Sequence, residues 1–226
     1  MQEFLRYRVT YSLSALIVLF YLYSIGYSGN LIDIPPLDLV EIGALYPPYA
    51  VLKNEWWRIF FSLFLHGGLT HVALNTISLI LVGRIVEEYF LRFEYLVIYF
   101  MSGVIGVLAS IYFHPLNVLI GASGAIFGIF GALVGFFIAH RRALMHQFRG
   151  MMQNVGVILA INLGIGLLFP NIDMVAHIAG LLFGVVAGFI YAYDRRIFWG
   201  YSVISLIFMV AFGDYLPHIY AEYLIR

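Results

Sequence analysis

The chain has 226 residues, 63% of them hydrophobic and only 11% charged, with 12 basic and 12 acidic side chains and no cysteine. Soluble domains are about 45–50% apolar and about 25% charged, so a bilayer rather than water is the solvent this composition suits. The balanced charge points to no nucleic-acid or acidic partner, and the absence of cysteine excludes disulfides and thiolate metal sites.

The first apolar run, Val9 to Tyr27, follows Arg6 and Arg8. It resembles a signal sequence, but no small-residue cleavage site follows and its length suits a retained span. A loop from Ser28 to about Leu65 comes next, with Pro35, Pro36, Pro47, Pro48, Trp56 and Trp57 among many apolar residues. Such a loop is expected to lie partly in the headgroup zone. Further spans are expected over 69–90, 94–112, 122–140, 153–169, 174–193 and 197–213, each near the ~20 residues a crossing requires. The expected fold is all-α, a polytopic membrane helix bundle forming a single domain over 1–226. With a cytoplasmic N-terminus, nine basic residues fall inside and Lys53, Arg58 and Arg226 outside, so the positive-inside rule favours this orientation.

That topology places four polar residues at one depth. His71 and Asn75 open the second span, Ser123 opens the fourth and His177 opens the sixth. At 1.5 Å per residue, all lie within roughly 10 Å of the external helix ends. Gly124, Gly128, Ala132 and Gly135 on one helix, and Ala176, Gly180, Gly184 and Gly188 on the other, form small-residue stripes that let helices pack closely in lipid. Close packing brings Ser123 and His177 together. A serine hydroxyl becomes a nucleophile when a neighbouring imidazole takes its proton. The unpaired N–H groups at the start of the Ser123 helix favour a developing oxyanion. His71 and Asn75, one turn apart, can add donors.

The motifs resemble those of rhomboid intramembrane serine proteases. They are Trp57-Arg58, His66-(x4)-His71-(x3)-Asn75, Gly83-(x3)-Glu87, Gly121-x-Ser123-Gly124 and Ala176-His177-(x2)-Gly180-(x3)-Gly184, in that order over residues 56–184. The resemblance implies a six-helix core, whose motif-bearing part covers about 56–193, plus a seventh C-terminal span. It implies Ser123 as nucleophile, His177 as base, and His71, Asn75 and the Ser123 N–H as the oxyanion hole. Phe127 takes the place of the aromatic that packs on the histidine, while Trp57 and Arg58 brace the first loop. The implied substrate is a transmembrane segment of another protein, cut near the external face of a plasma membrane. No glycine follows Glu87 four residues on, where Leu91 stands, a departure that bears on helix packing.

Each of these residues also has a purely structural reading. Ser123 alone reads as a helix cap, His177 as a satisfied structural histidine, and His71 and Asn75 as interhelical hydrogen-bonding residues. His66 is expected to hold the first loop. Asp173, four residues before His177, is expected to cap the sixth span rather than complete a triad, with Asn171 the alternative cap. Glu87 and Glu88 are expected to pair with Arg84 and Arg92 at helical spacing. His114, His140, His146 and His218 need no role. His66, His71 and His177 do not have the spacing of a zinc site, and no metal or cofactor is expected. The competing functions are a catalytically silent relative that binds or chaperones transmembrane segments, and a transporter. A transporter site is disfavoured by the offset of the cluster toward one face and by the absence of a repeat.

Overall fold

The computed structural model describes residues 2–143 and 173–225, together with 150, 153, 156, 157, 160, 161 and 164. Its helices are α1 (Gln2–Arg6), α2 (Arg8–Ser28), α3 (Pro36–Glu41), α4 (Pro47–Leu52), α5 (Arg58–Ser62), α6 (Leu69–Tyr89), α7 (Arg92–Phe113), α8 (Ser123–Ala139), α9 (Met174–Tyr193) and α10 (Arg195–Ile225). The described residues form no strand beyond two isolated bridges. Five helices, α2, α6, α7, α9 and α10, are long and apolar enough to cross a membrane. The span expected over 153–169 lies outside the described residues, apart from six scattered positions, as do His146, Arg149 and Asn171.

The centre of the bundle is α8. It is only 17 residues long, and most of it, Gly124 to Leu133 without a break, is buried on every face. A helix that is apolar all round is stable only when neighbours surround it. Here α9 and α7 do so most closely, with α6 beside them. The small-residue stripes do what their spacing implies. A Cβ on Gly180 would run into the Gly124 carbonyl oxygen, one on Gly184 into that of Gly128, and one on Gly188 into that of Ala132. Gly131, outside the expected stripe, makes an equally close approach to the Leu181 carbonyl.

Two local expectations change. The last helix runs from Arg195 to Ile225, well beyond 213, with Pro217 inside it. Its extension is held by tertiary contacts. Leu216 and Tyr220 are buried among Leu45, Ala50 and Val51 of the first loop, and the Tyr220 hydroxyl donates to the Pro115 carbonyl. The first loop is itself folded, with three short helices and the buried side chains Ile34, Leu39, Ala44, Leu45, Ala50 and Val51.

The second change is at the inner end of α6. Glu87 and Glu88 do not pair with Arg84 and Arg92 in the described hydrogen bonds. The Glu87 carboxylate accepts from the backbone N–H groups of Val9 (3.1 Å) and Thr10 (2.9 Å), capping the start of α2. Glu88 pairs with Arg6 at 3.1 Å, and Arg84 with Glu3 at 3.1 Å. Unpaired N–H groups at a helix start in lipid are costlier to leave unmet than a surface ion pair is to forgo. Gly83 belongs to the same contact, since a Cβ there would meet Thr10 Oγ1 at 2.7 Å.

Candidate active site

Ser123 is the first residue of α8, and a folded frame sets where that helix begins. Leu45 and Leu119 exchange backbone hydrogen bonds of 3.2 and 2.8 Å, and the Gly121 N–H donates to the Ser62 carbonyl at 2.8 Å. The first loop therefore anchors the segment leading into Ser123. Gly121 turns the chain with φ +108°, a region that favours glycine. A Cβ at this position would also meet His71 Nε2 at 2.8 Å.

The loop in turn is organised around Arg58. Its buried guanidinium bonds Glu55 at 2.5 Å and donates to the carbonyls of Val40 (2.6 Å) and Ala44 (3.0 Å). Trp57 stays half exposed, its ring against Phe61 at 5.1 Å. This is a bracing arrangement, with one planar cation satisfying two backbone acceptors and a carboxylate at once.

His177, in the first turn of α9, places Nε2 2.6 Å from Ser123 Oγ. In a neutral imidazole protonated on Nδ1, Nε2 accepts the serine proton. Phe127, one turn below Ser123, stacks on the imidazole with centroids 4.4 Å apart and planes 11° apart. Nδ1 of His177 is buried with no hydrogen-bond partner among the described residues. Asp173 does not reach it. One carboxylate oxygen caps α9, accepting from Val175 N–H (2.9 Å) and Ala176 N–H (3.1 Å). The other accepts from Ser110 Oγ and lies 3.4 Å from His114 Nδ1. The ring orientation that a carboxylate fixes in a triad is fixed here by stacking. Gly124 and Gly180 sit where α8 and α9 touch, directly beside the pair.

The structure brings His71 against Gly121 and buries Asn75 one turn further along α6. One Asn75 amide hydrogen is donated to the His71 carbonyl at 3.0 Å, which leaves a second N–H on the same nitrogen. His66 is fully buried, donates Nδ1–H to the Phe64 carbonyl at 3.0 Å and packs edge-on to His71 at 4.9 Å. Together these residues place a hydroxyl within hydrogen-bond distance of an imidazole, beside histidine, amide and helix-start donors.

Burial and the neighbouring His71 push His66 down to about 3 from the usual 6.5. The unfolded chain then binds a proton below about pH 6.5 that the folded one refuses. His66 thus contributes stability above pH 6.5 that is lost as pH falls toward 3. Thermal unfolding from pH 7 to 4 should show a declining midpoint. His66→Gln should remove up to one proton from the slope, about 1.4 kcal/mol per pH unit. Parallel curves for both proteins would refute the assignment.

Sequence reasoning missed two partners of this site. Ser110 and His114 engage Asp173, so His114, which needs no role on sequence grounds, has one. The available signal was the pair Gly106 and Ser110, small residues one turn apart on α7.

The Rhomboid domain family matches residues 53–194, which includes the whole core that carries these motifs. The chain belongs to the rhomboid family. It is an integral, multi-pass membrane protein. It is 36% identical over 161 residues to "Rhomboid protease GluP" of Bacillus subtilis strain 168, covering 71% of this chain and 31% of that protein. It is 36% identical over 155 residues to "RHOMBOID-like protein 1" of Arabidopsis thaliana, covering 69% and 39%. The match thus spans about a third of the length of these relatives.

Proposed function

We propose that this rhomboid is an intramembrane serine endopeptidase that cuts transmembrane segments of other proteins near the external membrane face. The observation that carries the reading is the 2.6 Å contact between Ser123 Oγ and His177 Nε2, in a histidine stacked on Phe127. Ser123 Oγ attacks the scissile carbonyl carbon as His177 Nε2 takes its proton. The negative charge that develops on the carbonyl oxygen is met by the Ser123 N–H at the start of α8, by His71 and by Asn75. His177 then returns the proton to the leaving amine, and a water molecule, deprotonated by His177, releases the acyl group.

The arginine bias supports a cytoplasmic N-terminus, and with it a site that opens on the external side of the membrane, which we assign to the plasma membrane. A single membrane domain carries the site, and Trp57 and Arg58 hold its loop in place. The "protease" in the name of the Bacillus subtilis relative agrees with this reading.

The test uses purified protein in liposomes and a fluorophosphonate probe. Wild type should be labelled, and Ser123→Ala should not be, at an unchanged unfolding midpoint. Equal labelling of the two proteins, or none in wild type alongside no cleavage of a co-reconstituted transmembrane reporter, would overturn the proposal in favour of a binding protein.

A further inference from the structure

Asp173 does more than cap a helix. Its carboxylate has four neighbours: the N–H groups of Val175 and Ala176, the Ser110 hydroxyl and the His114 imidazole. Two belong to α9 and two to α7 and its C-cap residue. Ser110 is fully buried, and no other partner is described for its hydroxyl. A hydroxyl withdrawn from water is costly unless it is bonded, so this bond holds wherever the fold holds. His114 is 40% exposed and closes the cluster on the outer side.

The same turn is held a second time. A Cβ on Gly106, one turn before Ser110, would meet the Ala176 carbonyl oxygen at 2.7 Å. Ala176 therefore has its N–H on Asp173 and its carbonyl against α7, and the next residue is His177. An N-cap alone fixes the local geometry of a helix but not its position against a neighbour. The second carboxylate oxygen supplies that position. All the recorded contacts of Asp173 are thus used without reaching His177 Nδ1, which stays unpartnered among the described residues.

We infer that Asp173, Ser110 and His114 form a clamp from α7 that sets the depth and rotation of the first turn of α9, and through it the reach of His177 to Ser123. They are positioning residues. Their effect on rate rests on the peptidase reading, whereas their effect on the backbone does not.

Two measurements on the full chain in nanodiscs test the clamp. Hydrogen exchange is read at the Val175 and Ala176 amides, and single-turnover cleavage of a transmembrane reporter is read for rate and half-saturation. Ser110→Ala and His114→Ala should each speed exchange of these amides tenfold or more, although neither side chain touches them. Each should also lower the maximal rate about tenfold with half-saturation unchanged. His114→Asn, whose amide can donate to the same carboxylate oxygen, should restore both. Asp173→Asn keeps the capping oxygen but loses the acceptor for Ser110, so it should slow cleavage more than it speeds exchange. Wild-type exchange in both Ser110→Ala and His114→Ala would overturn the clamp, as would failure of His114→Asn to restore it. If Ser123→Ala cleaves as fast as wild type, the peptidase reading falls, and the exchange measurement still decides the clamp.

Discussion

Replacing His177 by alanine is expected to lower the single-turnover rate of cleavage by roughly 10³–10⁶-fold, and adding Ser123→Ala to that variant is expected to cost almost nothing more. The two side chains act as one unit. Without the imidazole 2.6 Å from its oxygen, Ser123 is an ordinary alcohol whose proton has nowhere to go. Without the hydroxyl, the imidazole has no proton to take. The residual rate in either variant comes from the donors around the carbonyl oxygen, which both variants keep.

Substrate affinity should change little, because the recorded contacts of the His177 ring are with Ser123 and Phe127. Rates measured in liposomes for wild type, both single variants and the double variant give the test. Losses that multiply in the double variant would show that the residues act separately. A His177→Ala protein within tenfold of wild type would show that it is not the base.

The second large effect is structural. Gly184→Leu is expected to prevent α8 and α9 from packing, with loss of the folded protein. A Cβ at Gly184 would overlap the Gly128 carbonyl oxygen and would sit 2.7 Å from its carbon and 2.9 Å from Cα. These are backbone atoms, so no rotamer change relieves the contact. Gly184→Ala already overpacks the interface and should destabilise by about 1–3 kcal/mol. In lipid the loss is serious, because close van der Waals packing, not a hydrophobic drive, holds helices together.

Gly200, on α10 with open space around its Cα, is the control. Gly200→Ala should be neutral or stabilising by up to about 1 kcal/mol through helix propensity. Thermal unfolding in detergent compares the three variants with wild type. Equal midpoints for Gly184→Ala and wild type would sink the packing argument. Since Ser123 and His177 ride on these two helices, a partly folded Gly184→Ala protein should also lose cleavage.

The sequence by itself determined the long helices that carry the site and the depths of its residues. A span needs about twenty apolar residues and each residue rises 1.5 Å, so run lengths alone placed Ser123, His177, His71 and Asn75 near the same helix ends. The four-residue spacing of glycines announced which faces of α8 and α9 meet, and the ordered motifs announced the family. Asp173 was legible as a cap because capping is local chemistry within one turn.

The tertiary structure decided what depends on residues far apart in the chain. Whether Glu87 would pair along its own helix or cap α2 was settled by the need to satisfy buried N–H groups some eighty residues earlier. The reach of α10 past Pro217 was settled by Tyr220 and Leu216 finding the first loop. The second partner set of Asp173 was settled by α7 crossing α9 at Ser110. Spacing reports what lies within one helix, whereas a contact between helices exists only once packing has chosen their rotation and depth.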